Sequence, residues 1–115
     1  MGKKIRAIVK RADEEIGHVT YVSNTLENLQ RTVGGYIECV SFYDKERDIE
    51  ICVLCDEEGL LKGKQVNCIV YFGDVGCGFV GDILVVGIDG EDFGDLPAEI
   101  TMKEWKEMIS YDELY

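Results

Sequence analysis

A single proline, a single histidine and a single tryptophan stand in a chain of 115 residues, and no stretch of it stays apolar for long. Each shortage excludes something. With one Pro and 46% hydrophobic residues, the chain reads as an ordered globular protein rather than a disordered one. No apolar run approaches the roughly 20 residues that a membrane helix needs. The opening "MGKKIRAIVKRADEE" has basic residues but no apolar h-region, so no secretory signal is read there. Arg6 stands where a myristoylation site needs a hydroxyl residue. The expected compartment is a reducing cytoplasm, and the expected organisation is one domain over residues 1–115, long enough to bury a core.

Positive charge is also scarce. Twelve Lys and Arg face 23 Asp and Glu, for a net charge of −11. The imbalance is uneven: residues 1–31 carry +2 and residues 32–115 carry −13. Such a surface repels nucleic acid and acidic lipid, and attracts basic proteins over a Debye length of about 10 Å. The aromatic residues are not interleaved with Lys or Arg, so a stacking platform for single strands lacks its basic groove. Tyr36, Phe42, Phe72 and Trp105 are assigned to the core, Tyr111 and Tyr115 to the surface.

Catalytic chemistry finds little to use. His18, the sole histidine, alternates with Thr20 and Val22, and nothing in the sequence sets a thiol and an oxyanion site beside it. Cys52 and Cys55 form a lone CxxC, whereas a zinc ribbon needs two converging knuckles. "IEICVLC" reads as a strand, where side chains three apart point to opposite faces and cannot chelate one ion. Nor does it open a helix that would lower a thiolate pKa. Cys39, Cys52, Cys55, Cys68 and Cys77 are therefore read mainly as small buried hydrophobes. No carboxylate pair has the apolar surroundings that raise a pKa for acid catalysis. The chain is expected to be no enzyme, with no catalytic residue, no metal and no cofactor.

What is present is alternation. "KIRAIVK" puts Ile5, Ala7 and Val9 on one face, and with "HVTYV" it makes a hairpin. Asn24 with Glu27 caps a short helix over "TLENLQRTV", stopped by Gly34 and Gly35. "YIECVSFY" and "DIEICVLC" are strands joined by the charged turn "DKERD", "DEEGLLKGK" is an exposed turn, and "NCIVYF" is another strand. "DILVVGI", apolar on both faces, suits a central strand. Thr101 with Glu104 caps a second helix whose Met102, Trp105 and Ile109 face the core. The expected fold class is α+β: a mainly antiparallel sheet of five or six strands with two short helices packed on it.

Two motifs invite ligands. Gly76-x-Gly78-x-x-Gly81 has dinucleotide spacing, but it leads into the β-branched "DILVVG" rather than a helix N-terminus, and Asp74 and Asp82 would repel phosphate. It is read as a corner. "DGEDFGDLPAEI" looks like a calcium loop until its fifth and twelfth positions prove to be Phe93 and Ile100, which offer no side-chain oxygen. A solvated acidic loop is the better reading, with an irregular weak cation site at Asp89–Asp95 left open.

Three blocks, "NTLENLQRTVGGYIECV", "ICVLCDEEGLLKGKQVN" and "GDILVVGIDGEDFGDL", occur in that order. Together they resemble a family of small domains of unknown function common in bacteriophages, prophages and plasmids. The family pattern is a short helix, then VGGYIE, EEGxLxGxxxN and GxxxVxxxDxEDF stretches, and the resemblance runs from Thr25 to Leu96. Lys64 and Gln65 depart from it, standing where a proline-containing turn is common, and so does the glycine-rich "FGDVGCGFVGD". The family carries no established catalytic residue. The resemblance implies a mobile-element protein acting in the cytoplasm of a bacterial host.

The functional expectation joins both strands of argument. A small acidic non-enzymatic protein is expected to bind a host protein with a basic surface, such as a defence nuclease, and to antagonise it with nucleic-acid-like charge. The acids assigned to that contact are Asp44, Glu46, Asp48 and Glu50, then Asp56, Glu57 and Glu58, then Asp89, Glu91, Asp92 and Asp95. No direct nucleic-acid binding and no membrane contact are expected. The alternative is capture of a small ligand or signalling nucleotide by Arg6, Lys10, Arg11 or Arg31, across a homodimer interface.

Overall fold

The run ILVVGID is apolar until its last residue, a pattern that a strand adopts when both of its faces are covered. In the computed structural model of the protein, which describes residues 3–111, this run is the centre of the fold. In chain order the elements are β1 (Lys4–Lys10), β2 (His18–Ser23), α1 (Leu26–Val33), β3 (Ile37–Asp44), β4 (Ile49–Asp56), β5 (Val66–Phe72) and β6 (Val75–Val80). There follow β7 (Ile83–Asp89), β8 (Asp92–Gly94), α2 (Met102–Met108) and β9 (Ile109–Ser110). Six strands form one sheet in the order β2-β1-β7-β4-β3, with β8 also on β7, and the other three form a second sheet in the order β6-β5-β9. Every one of these pairings is antiparallel. The fold is α+β.

Three layers result, because the large sheet buries both faces. On one side Ile5, Ala7, Cys52, Leu54, Leu84 and Val86 receive Leu29 and Val33 of α1. Eight residues make a helix too short to persist alone in water. Burying those two side chains, at about 1.5–3 kcal/mol each, is what holds it. Its cap is Thr25, whose Oγ1 accepts from the Asn28 amide at 3.2 Å, rather than Asn24. Asn24 instead donates to the Phe93 carbonyl and ties the helix entrance to β8. Gly34 closes the helix with φ 78°, in the left-handed region where glycine is at ease.

The opposite face of the large sheet, with Ile8, Phe42, Ile51, Val53, Ile83 and Val85, meets the small sheet and α2 through Val70, Phe72, Phe79, Trp105 and Met108. The Thr101 cap of α2 is as expected, its Oγ1 accepting from the Glu104 amide at 3.2 Å. Trp105 is fully buried and donates its indole N–H to the Ile16 carbonyl at 2.8 Å. Ile109 has left the helix for β9.

The second sheet corrects the sequence reading at the glycine-rich stretch. Gly76 and Gly78 lie inside β6, and only Gly81, at φ 74°, makes a corner. A side chain at Gly76 would collide with the Tyr71 ring, 2.5 Å from its Cε1, so glycine here lets the ring lie against the strand. A strand, β7, follows, so no helix N-terminus faces the motif. The supposed acidic loop is likewise a tight hairpin: Asp89 pairs with Asp92 across Gly90 and Glu91, with Gly90 at φ 64°. Tyr36 is no core residue, at 67% exposure, whereas Phe42, Phe72 and Trp105 are buried. Tyr111 is partly exposed, but its hydroxyl donates to the Glu15 carbonyl and its ring faces the Lys10 ammonium at 5.1 Å. Tyr115 lies outside the described residues.

Candidate functional site

Antiparallel pairing decides where the acids go. Tyr43 pairs with Glu50, Cys52 with Val86 and Asp89 with Asp92, so the end of β3, the start of β4, the end of β7 and the start of β8 all meet at one end of the large sheet. That end collects Asp44, Glu46, Asp48, Glu50, Asp89, Glu91, Asp92 and Asp95. Asp48, Glu50 and Asp95, joined by Glu99, line an open cleft of about 410 Å³ whose apolar parts come from Ile49, Ile88 and Pro97.

Several of these carboxylates also have structural duties. Asp44 caps the β3–β4 turn by accepting from the Glu46 and Arg47 amides, and its other oxygen takes the Arg47 Nε at 2.6 Å. That guanidinium holds the Asp44 carboxyl below its usual range. Arg47 reaches on to Glu104 at 2.7 Å and lies over the Phe72 ring, so it is engaged on three sides. Asp48 sits at φ 53°, which Asp tolerates better than most residues, and accepts from the Tyr43 hydroxyl at 2.6 Å. Asp95 accepts from the Arg6 amide at 2.7 Å. Lys3 and Lys4 border the neighbouring cleft beside Asp89 and Asp92. Glu46, Glu50 and Glu91 are exposed.

Asp56, Glu57 and Glu58 lie elsewhere, at the far end of β4 and roughly 24 Å from its start. Asp56 is not a surface acid at all. Its side chain is 0% exposed and takes Lys62 Nζ at 2.8 Å, Lys64 Nζ at 2.7 Å and the Glu58 amide at 2.9 Å. The Lys62 and Lys64 ammonium groups hold its carboxyl far below the usual carboxylate range. Both lysines also donate to the Gly34 carbonyl, and Lys64 to that of Val33, so the turn after β4 is bolted to the C-terminus of α1. Gly35 passes so close to the Asp56 carboxylate that a side chain there would overlap it. Two of the stretches that carried the resemblance, around Gly34–Gly35 and around Asp56–Lys62, therefore close one buried ion cluster.

The third polar group of the interior is Asn67, which sequence reasoning passed over inside "VNCIVYF". It accepts from Lys10 Nζ at 2.6 Å and donates to the Lys10 and Gly81 carbonyls, fastening β1, β5 and the corner before β7. Lys10, wholly buried, gives its remaining reach to the Glu14 carbonyl. Arg6 donates to the carbonyls of Leu96, Pro97 and Ile100, and Arg31 pairs with Glu27 on the surface of α1. Arg11 borders a shallow cleft with Asp13, Lys64 and Asp82. The four cations of the ligand-capture alternative do not converge.

Cys52 and Cys55 face opposite layers, Cys52 toward α1 and Cys55 toward the small sheet, as strand parity requires. Burial, with the neighbouring Cys52 thiol, pushes Cys39 up to about 12, and burial pushes Cys55 and Cys68 up to about 11. His18 is exposed beside Glu14, at 3.5 Å.

A large antiparallel sheet with α1 on one face and the small sheet together with α2 on the other, its buried Asp56 and Lys10 paired and many of its acids gathered at one sheet end, defines a small three-layer α+β fold. The chain belongs to the family described as domain of unknown function DUF3846, which it matches over residues 5–110. No curated protein and no solved structure matches it. Among the described residues no helix is long and apolar enough to cross a membrane.

Proposed function

We propose that this protein is a non-enzymatic binding protein of a mobile element, and that it occupies a basic surface on a host protein, such as a nucleic-acid-binding defence enzyme. The observation that carries the reading is the convergence of Asp48, Glu50, Asp89, Glu91 and Asp92 at one sheet end, where the Arg47 guanidinium is already engaged by Asp44 and Glu104. Carboxylates held on paired strands form a fixed array, which costs less entropy to dock than a flexible acidic tail. The ligand-capture alternative has less in its favour, because Arg6 and Lys10 spend their donors on carbonyls and an amide inside the protein.

Charge-driven binding is salt-dependent. Affinity capture from bacterial lysate at 50 and 200 mM salt, with native protein and with a D48K/E50K/E91K variant, tests the proposal. A partner retained at low salt, shed by about tenfold at the higher salt and lost on charge reversal is the expected result. A partner held equally by both proteins, or insensitive to salt, would refute it.

A further inference from the structure

Another concavity lies away from the acidic end, lined by residues of both sheets. Among the described residues β3 pairs only with β4, and β6 only with β5, so both are edge strands carrying a row of backbone groups with no strand across from them. Between them opens a cleft of about 210 Å³ walled by Val40, Cys55, Cys77, Phe79 and Val80. Leu60, 82% exposed, stands at its margin.

The rim is acidic. Glu38 and Glu57 border the cleft, and neither has a cation partner in an ion pair among the described residues. The Glu38 charge is felt inside, where it helps push the Cys55 and Cys77 thiols up after burial has done most of the work. The nearby lysines, Lys62 and Lys64, are committed to Asp56. A volume of about 210 Å³ falls below the usual range for small-molecule sites, roughly 300–1,000 Å³, but suits one or two apolar side chains.

We propose that the β3 edge receives an extended peptide segment of a partner, which adds as a strand, sets an apolar side chain in the cleft over Phe79, and places flanking Lys or Arg against Glu38 and Glu57. β3 is the better template of the two edges. Its eight residues pair with β4 without interruption, whereas the β5–β6 register shifts between Val66 and Cys68. Main-chain bonds supply affinity in such strand addition, and the side-chain pockets supply selectivity. Charge argues against a second copy of this chain as the occupant, since two such rims would bring four unpaired carboxylates together on molecules of net charge −11.

The site is separate from the acidic sheet end, and the test keeps the two apart. The probe is a blocked hexapeptide of alternating Lys and Leu, titrated into isotope-labelled protein while backbone amide shifts are followed. Shifts confined to β3 and β6, saturating with the peptide, are expected, and the matching Glu/Leu peptide should give none. E38K should weaken binding about three- to tenfold, the range expected for reversing one exposed charge, while E107K, a reversal on the exposed side of α2, should leave it unchanged. Equal binding of the acidic peptide, shifts centred on Asp48–Glu50, no shift at millimolar peptide, or a dimer already covering β3 would each overturn the proposal.

Discussion

Replacing Asp56 by Asn keeps the size of the side chain and removes its charge. Asp56 is the one fully buried carboxylate among the described residues, and it takes two ammonium groups and the Glu58 amide. Asn can still accept from that amide, but its NH2 group would face Lys62 and Lys64 as a third donor. Hydrogen bonds to charged groups contribute roughly 1.5–3 kcal/mol net, and breaking a buried pair from one side costs about 3–5 kcal/mol. The lysines recover part of this, because their side chains are 42% and 24% exposed and can turn to water. The expected loss is therefore about 2–4 kcal/mol, or roughly 8–16 °C in Tm for a domain of this size. Urea titration of both proteins at pH 7 measures it, with thermal unfolding as a check. The pH dependence adds a second constraint. The Asp56 carboxyl titrates lower in the folded protein than in the unfolded chain, so its stabilisation is complete above the unfolded value near 3.9 and is lost as the pH falls toward the folded one. Lys62 is raised by Asp56, so its share is complete below about 10.4 and fades as the pH rises beyond that. The gap between native protein and D56N should thus be level from pH 5 to 8 and close in acid. A gap under about 0.5 kcal/mol at neutral pH, or one that widens on acidification, would refute the reasoning.

Two further outcomes are expected. N67A should cost about 2–4 kcal/mol in urea unfolding, because it takes one acceptor from the buried Lys10 ammonium, leaving it the Glu14 carbonyl, and a donor from two carbonyls at once; a loss under 1 kcal/mol would mean that water replaces the amide. Cys39 is exposed, yet its thiol is pushed up to about 12, so iodoacetamide at pH 8 should modify it at least about tenfold more slowly than free cysteine, and urea should abolish the difference. Labelling of the folded protein at the free-cysteine rate would contradict that assignment.

Five strands of the large sheet were legible because they alternate or run apolar, while β8 was read as loop; the two helices were legible from their apolar spacing and end signals, although the first cap is Thr25 and not Asn24. Of the small sheet only β5 was legible, as the run NCIVYF; β6 and β9 were not. β6 carries Gly76 and Gly78, which lower strand propensity and imitate a phosphate loop, yet glycine is what allows Tyr71 to lie across it. Tyr36 follows two glycines and reads as the first apolar residue of a strand, but it precedes β3 and points to water. Asp56 looked like the first acid of an exposed run. Its burial follows from its position as the last residue of a strand buried from Ile51 onward, with two lysines waiting in the turn that follows. A polar residue inside an apolar strand gave the same signal at Asn67. The acidic end was only half visible, since sequence names the acids but strand register decides which of them become neighbours.

The position of β7 has a consequence for how the chain must be made. It sits between β1 and β4, yet it is the seventh strand in order. Before Ile83 leaves the ribosome, the β1–β2 and β3–β4 hairpins lack the strand that hydrogen-bonds them into one sheet, and only α1 can pack against both. Synthesis of a few more residues supplies the wedge that zips both hairpins into one sheet, with contacts spanning most of the chain, the kind that form slowly. A product stopped short of that strand leaves apolar strand faces and unpaired edges open, which is the kind of species that aggregates.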